Sequence, residues 1–359
     1  MTTLTIADEP DLLTAEWLTA ALRAGGTLSD DVAVATVTAA PLGTGQMCDS
    51  LRLVLTYDGA TSAPPTLVAK LPAADPTSRS TAVSLRSYEK EVRFYQQLAA
   101  DLPVATPGVV HAAIEPATAS FVLLLEDMAP ATVGDQLAGT TVEVAEAAVR
   151  ELVKLHAPRW GDPDLLGIEW LAGDPAASRA FLGMLLPGVW AGFKERYAEA
   201  LQPHVVEVGE ALMANLESYL GRGGTGPQTI THGDYRLDNL LIGADSGIRG
   251  VVDWQTVTVG PGLNDVAYFI GAGLLAEDRR PAEERLVRAY HDDLVAAGVT
   301  AYPWEQCWED HRRGTFAGLV MAVAASMLVE RTERGDRMFL AMAHRHSQHA
   351  LDLDAAALL

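Results

Sequence analysis

The sequence predicts an α+β fold in two parts, a small antiparallel β-sheet region at the N-terminal end and a larger, mainly α-helical region after it. Three observations carry this expectation. Runs rich in β-branched residues with period-2 alternation (VAVATVTAA, LRLVLTY and TLVAKL) lie between Val32 and about Leu71, and two further strand-like runs occupy 109–114 and 120–125. Ala/Leu/Glu-rich sequence with helical spacing dominates 141–156 and much of 175–220 and 280–355. Between the two, Glu126-Asp127-Met128-Ala129-Pro130 breaks the strand pattern. The boundary is therefore placed there, with residues 1–127 as the first lobe, ending in a hinge, and 128–359 as the second.

Each element has its own local reason. The first two strands are joined by LGTGQMCDS, where Gly43 and Gly45 permit a tight turn and close backbone approach to a ligand. The Pro/Ser/Thr-rich stretch from Pro72 to Ser80 reads as a connection. In SLRSYEKEVRFYQQLAADL, Leu85, Tyr88, Val92, Tyr95 and Leu98 recur at helical intervals, and the helix ends before Pro103. Past the boundary, TVEVAEAAVRELVKLH is helical. Among the later helices, Asn239–Ile242 and Ile248–Trp254 read as a β-hairpin around GADSG. The C-terminal helices are too generic to assign.

Composition removes several function classes. With 359 residues and 49% hydrophobic residues, the chain can bury a large core and is too apolar to be disordered. A net charge of −21 disfavours nucleic acid and anionic lipid as partners. Cys48 and Cys307 form no CxxC pair, which fits a reducing compartment. The start, MTTLTIADEPDLL, lacks the basic and apolar regions of a signal peptide, so the expected location is cytoplasmic. The longest apolar run, Phe316 to Val329, is shorter than the ~18–20 residues of a membrane span and reads as a buried helix.

The chemistry concentrates in His232-Gly233-Asp234-Tyr235-Arg236-Leu237-Asp238-Asn239 and in Val251-Val252-Asp253-Trp254. The hairpin would fold Asp253 back toward the loop, so that Asp234, Asn239 and Asp253 converge. Mg²⁺, a hard cation that takes a few protein oxygens beside water and phosphate, suits Asn239 and Asp253, leaving Asp234 as base. Lys70 lies among Leu67, Val68, Ala69 and Leu71; an ammonium buried there needs a counter-charge. Glu91 and Glu89, both on the following helix, point about 200° apart, so only one can face the sheet.

These residues resemble the aminoglycoside phosphotransferase and choline-kinase-like group, relatives of the protein kinases, over roughly residues 35 to 275. His232, Asp234 and Asn239 match its HxDxxxxN loop and Asp253 its metal-binding aspartate, with the VAK lysine, a helix glutamate and a glycine turn in the required order. The resemblance implies a two-lobe protein-kinase-like fold and an ATP- and Mg²⁺-dependent O-phosphotransferase acting on a hydroxyl of a small molecule: an antibiotic, an amino alcohol, a sugar or a hydroxyacyl compound. It implies Asp234 as the group that accepts or orients the hydroxyl proton, and His232 as a brace of the loop. Lys70 would bind the ATP phosphates with Glu91, rather than Glu89, as its partner, and Gly43 and Gly45 would grip phosphate. The strand SFVLLLEDM resembles the hinge that reads adenine, giving contacts at Leu125, Glu126, Asp127 and Met128. Asp238 would hold backbone amides and Asp265 would hold the loop from below. Arg236 departs from the aminoglycoside enzymes, but HGDxRxDN is similar to the loop of hydroxyacyl-CoA-type kinase domains, and it is counted with the catalytic set.

Other features take duller readings. His344, His346 and His349 suggest metal, but no carboxylate constellation nearby completes a site, so a packed or solvated helix face is the expectation. Trp160, Trp170, Trp190, Trp304 and Trp308 read as core. Arg279, Arg280, Arg312 and Arg313 are candidates for a basic patch that a CoA acceptor would need. A monomer or homodimer is expected. Two rival functions are a catalytically silent nucleotide-binding regulatory protein and a metal-dependent hydrolase, the latter leaving Lys70 and Glu91 unexplained.

Overall fold

The structure, a computed structural model, describes residues 4–43, 47–222 and 226–359. Contacts divide the chain into two units: Met1–Asp101 with Thr106–Ala129 and Asp253–Gln255, and Leu102–Ala105 with Pro130–Val252 and Thr256–Leu359. A single cut at residue 127 does not describe this division, because residues 102–105 and 253–255 each pack with the unit on the other side of it.

In the first unit, helix α1 (Ala15–Ala24) precedes strands β1 (Val34–Pro41), β2 (Cys48–Tyr57) and β3 (Thr66–Pro72). Helices α2 (Pro76–Ser84) and α3 (Ser87–Gln97) follow, then β4 (Val109–Glu115) and β5 (Ser120–Glu126). The five strands form one antiparallel sheet in the order β1-β2-β3-β5-β4. Leu67, Ala69 and Leu71 of β3 point to one face, where they pack with Leu53, Leu124 and the buried Leu18 and Leu22 of α1. By strand alternation Lys70 points to the other face. That face is covered by α3, whose Tyr88, Val92, Phe94 and Tyr95 are buried.

The Pro72–Ser80 connection is corrected by α2. Asp75 caps it by accepting from the Ser78 amide, and Pro76 stands at its first position, where a missing N–H costs nothing. Local capping chemistry thus outweighed the poor helix propensity of the stretch.

The second unit begins with β6 (Thr132–Val133) and α4 (Val142–His156), followed by α5 (Glu169–Ala172), α6 (Pro175–Arg196), α7 (Pro203–Ala214) and α8 (Leu216–Arg222). Strands β7 (Thr229–Thr231), β8 (Leu240–Ile242), β9 (Ile248–Val251) and β10 (Thr258–Gly260) then form two small antiparallel sheets, β10-β7 and β6-β8-β9. Helices α9 (Leu263–Gly273), α10 (Ala276–Ala296), α11 (Trp304–Leu328) and α12 (Glu333–Asp352) complete it. One of its hydrophobic cores joins Trp190, Phe193, Tyr268, Phe316, Leu319, Phe339 and Met342. The apolar run at 316–329 lies in α11, with Phe316, Leu319, Ala322 and Val323 buried. Among the described residues no helix is long and apolar enough to cross a membrane.

The hairpin β8–β9 is shorter than the sequence suggests. Its second strand stops at Val251 instead of running to Trp254, because Asp253 adopts a left-handed φ of 66°, incompatible with an extended strand.

Candidate active site

Two clusters of charged side chains, one in each unit, contain most of the residues singled out from the sequence. In the first unit, Lys70 on β3 is buried, with Ser50 and Leu123 as its strand partners. Its Nζ lies 2.5 Å from Glu91 Oε1 and 3.1 Å from Asp253 Oδ1. Burial opposes the charge on Lys70, but Asp253 and Glu91 outweigh it and hold the ammonium well above the ordinary lysine range. Glu91, fully buried, also accepts from the Trp254 amide and from Gln255 Nε2, each at 3.3 Å. The Trp254 ring stacks on Phe94 of α3 with centroids 3.7 Å apart. Residues 253–255 are thereby docked on α3, leaving the Asp253 side chain 35% exposed beside the lysine.

Glu89 does not approach Lys70, nor is it a solvated residue. It is held by Arg86 at 2.9 Å and Arg93 at 2.8 Å. At the end of β5, the Glu126 amide donates to the Gly108 carbonyl at 2.8 Å while its side chain is exposed. Met128 is half-buried and Leu125 buried. The Asp127 carboxylate is committed to Arg52 at 2.9 Å and to the Ala129 amide at 3.2 Å. Gly43 is exposed with φ +75° and space around it; Gly45 lies outside the described residues.

In the second unit the loop after β7 is tied down from several directions. Asp265 of α9 accepts from the amides of His232 at 2.7 Å and Gly233 at 3.0 Å, and His156 Nε2 lies 3.3 Å from it. His232 is buried, and its Nε2–H donates to the Val252 carbonyl at 3.0 Å. That fixes Nδ1 as the acceptor for the Asp234 amide at 3.2 Å. Gly233 has φ +82°, and a Cβ there would stand 2.7 Å from the Thr256 carbonyl, so the turn requires glycine.

This scaffold presents Asp234 and Asn239. Asn239 Nδ2 donates to the Asp234 main-chain oxygen at 2.8 Å and to Asp234 Oδ2 at 3.0 Å. Both partners are acceptors, so the amide must turn its NH₂ toward them, which reserves its oxygen. Asp234 also accepts from Arg236 Nε at 3.0–3.1 Å and from the Tyr268 hydroxyl at 2.6 Å. Arg236 Nη1 bonds Asp238 at 2.6 Å and contacts Met338 Sδ at 3.2 Å. Burial would lower its basicity, but Asp234, Tyr268 and Asp238 overcome this and raise it further. Asp238 binds the Gln136 amide at 3.0 Å and Arg334 at 3.2 Å. Burial pushes its carboxyl up, yet the two guanidiniums hold it below the ordinary range.

Four participants were not singled out from the sequence. Gln136, Tyr268, Arg334 and Met338 reach the loop from 30 or more residues away. Tyr268 sits three residues beyond Asp265 in LNDVAYF, a helical spacing that could have found it.

The remaining candidates fall elsewhere. The expectation that no carboxylate accompanies the C-terminal histidines is corrected: Glu283, His311 and His349 converge, all buried. His311 Nε2 lies 2.8 Å from Glu283 Oε1, which His349 also contacts, while Arg279 takes Oε2 at 2.6 Å. The Nδ1 atoms of both histidines lack a hydrogen-bond partner among the described residues. Metal-bound imidazoles ordinarily donate through that second nitrogen, and Arg279 already supplies the cation, so a closed ionic network describes the cluster better than a metal centre. The four arginines do not make a basic patch. Arg279 and Arg280 bind Asp352, Arg312 caps the Leu353 and Asp354 carbonyls, and Arg313 pairs with Glu309 and Asp310. Trp170 and Trp190 are buried, and Arg288 lies over the Trp304 ring at 3.5 Å.

Comparison with known proteins gives the family and the fold. A family model described as "Phosphotransferase enzyme family" matches residues 55–304. Among curated proteins, 126 residues are 26% identical to "Probable acyl-CoA dehydrogenase IBR3" of Arabidopsis thaliana, covering 35% of this chain and 15% of that one. A stretch of 73 residues is 34% identical to "Acyl-CoA dehydrogenase family member 10" of Mus musculus, covering 20% of this chain and 6% of that one. The matched segments thus span a small fraction of those relatives' length. Among solved structures, choline kinase from Cryptosporidium parvum Iowa II superposes with a TM-score of 0.56 at 10% identity over 89% of each chain. That likeness establishes the α+β, kinase-like fold.

Proposed function

From the premise that this chain belongs to the phosphotransferase enzyme family and is a phosphotransferase with an alcohol group as acceptor, we propose that it moves the γ-phosphoryl group of ATP, with Mg²⁺, to a small-molecule hydroxyl. The observation that carries this reading is the Asn239 amide, whose donor end is spent on Asp234 so that its oxygen is kept for a hard cation. Asp253, whose half-buried carboxylate lies beside Lys70, would be the second oxygen ligand, as the resemblance implies. When bound, Mg²⁺ would offset the negative charge that builds on the phosphates.

The chain's own groups do the rest. Lys70, anchored by Glu91, binds the α- and β-phosphates. Asp234 receives a hydrogen bond from the acceptor hydroxyl and aims its oxygen at the γ-phosphorus. Because phosphoryl transfer proceeds through a loose transition state, this orientation matters more than early proton removal. Arg236, already beside Asp234, places positive charge where the transferred group gains negative charge. His232, Gly233 and Asp265 hold the loop in register.

The acceptor we favour is a hydroxyacyl-CoA, whose phosphates would have to meet cations other than Arg279, Arg280, Arg312 and Arg313, since those are committed to neighbouring groups. The curated relatives are named for acyl-CoA dehydrogenation, and the loop HGDYRLDN resembles that of hydroxyacyl-CoA-type kinase domains. ADP formation from Mg-ATP should be measured with 3- and 4-hydroxyacyl-CoA, choline, ethanolamine, a hexose and an aminoglycoside. ADP release with a hydroxyacyl-CoA, lost in Asp234→Asn, is the expected result. Release with another alcohol would move the acceptor class, and Mg-ATP binding without turnover on any of them would favour the silent regulatory protein.

A further inference from the structure

Tyr268 has no counterpart among the residues singled out from the sequence, yet its hydroxyl makes a 2.6 Å hydrogen bond to the carboxylate that the proposed chemistry turns on. On its other side the Tyr268 ring stacks on His346 of α12, with centroids 5.3 Å apart and planes 25° from parallel. His346 is fully buried, and neither ring nitrogen has a hydrogen-bond partner among the described residues. Burial holds this imidazole neutral, well below the ordinary histidine range.

The slot for that ring is built by two glycines. A Cβ on Gly318 of α11 would fall on the imidazole, and one on Gly271 of α9 would stand 2.8 Å from its Nδ1. Three helices are thus shaped around a ring that carries two polar atoms with no hydrogen-bond partner among the described residues, each at a cost in desolvation. An apolar side chain would carry no such penalty, so packing alone does not account for the imidazole. What it touches is the tyrosine that holds Asp234.

We propose that Tyr268, backed by His346, is a positioning residue that fixes the rotamer of the Asp234 carboxylate. The inference rests on the proposed phosphotransfer chemistry. Asn239 bonds Oδ2 and Arg236 Nε is shared between Oδ1 and Oδ2, whereas the Tyr268 hydroxyl bonds Oδ1 alone and at the shortest of these distances, so the phenol adds to the resistance against rotation of the carboxylate about its Cβ–Cγ bond. With the phenol removed, Asp234 remains in place but aims its oxygens less well at the acceptor, which lowers turnover and leaves nucleotide affinity alone.

The test needs no identified acceptor, because slow transfer to water reports on the same carboxylate. Phosphate release from Mg-ATP is expected to fall at least about tenfold in Tyr268→Phe, with KM for Mg-ATP within about twofold. His346→Leu should lower the rate several-fold in the otherwise unchanged chain and have no further effect in the Tyr268→Phe background. An unreduced rate in Tyr268→Phe, or an equal effect of His346→Leu in both backgrounds, overturns the inference. Should the unchanged protein neither release phosphate nor form ADP, the reading of function fails separately. The inference is then still decided by the ¹⁹F resonance of 3-fluorotyrosine incorporated at Tyr268. That resonance should move in both Asp234→Asn and His346→Leu, and indifference to Asp234→Asn overturns the inference.

Discussion

The two charged clusters differ in how they are supported. Lys70, Glu91 and Asp253 are a sparse triplet, one ammonium between two carboxylates, set in apolar surroundings and held by a strand, a helix and a stacked tryptophan. Asp234 sits in a dense network, bonded by Arg236, Asn239 and Tyr268, while its neighbour Asp238 takes Arg236, Arg334 and the Gln136 amide. A sparse site depends on each charge, and losing one leaves another buried and unpaired. A dense site distributes its support, so single losses should cost orientation before they cost folding.

The largest effects test whether both clusters serve the same reaction. Asp234→Asn and Asp253→Ala are each expected to lower phosphoryl transfer by about 10³-fold or more, measured as acceptor-dependent ADP formation, with the unfolding midpoint of Asp234→Asn little changed. Next comes Lys70→Met. It leaves Glu91 buried without its cation and should destabilise the protein by about 3–5 kcal/mol in urea unfolding, whereas adding Glu91→Leu should restore part of the loss. Equal destabilisation by Lys70→Met and Arg236→Met would erase the contrast between sparse and dense support.

A smaller effect concerns acid. Because Asp238 is held below its ordinary value in the fold, its contribution to stability is complete above the unfolded pKa of ~3.9 and disappears as pH falls through the lower folded value. Arg334→Ala removes one of the cations responsible, so acid unfolding followed by circular dichroism should begin at a higher pH, with a loss near neutrality of about 1 kcal/mol. The smallest expected signal is at Cys48 and Cys307. Burial pushes both thiols up to about 12, so neither should react with a thiol reagent until the chain unfolds.

The two clusters also differ in how far they could be read in advance. Lys70 was conspicuous because a charge in an apolar strand demands a partner; spacing left Glu89 and Glu91 both open on the downstream helix, and the family resemblance favoured Glu91. The strand runs and the large helices were legible from period alone. Arg334 and Met338 were not, because they approach the loop from about 100 residues downstream, and only the packing of α12 brings them there. His346 and the glycines at 271 and 318 were invisible for a related reason: a slot shared by three helices leaves no periodic trace. The Pro72–Ser80 stretch misled in the opposite sense, its proline and serines serving as a helix start. The early end of β9 depended on one backbone angle that no side-chain pattern announces.

That angle sets unusual terms for replacing Asp253. With φ at 66°, the position wants a short side chain tolerant of left-handed backbone, while Lys70 beside it wants negative charge. Glutamate keeps the sign but strains the chain, glycine relaxes the chain but discards the sign, and asparagine is at ease in the backbone yet neutral. Aspartate alone meets both demands, so a library at this codon should yield a single active residue, with asparagine the best-folded of the inactive ones.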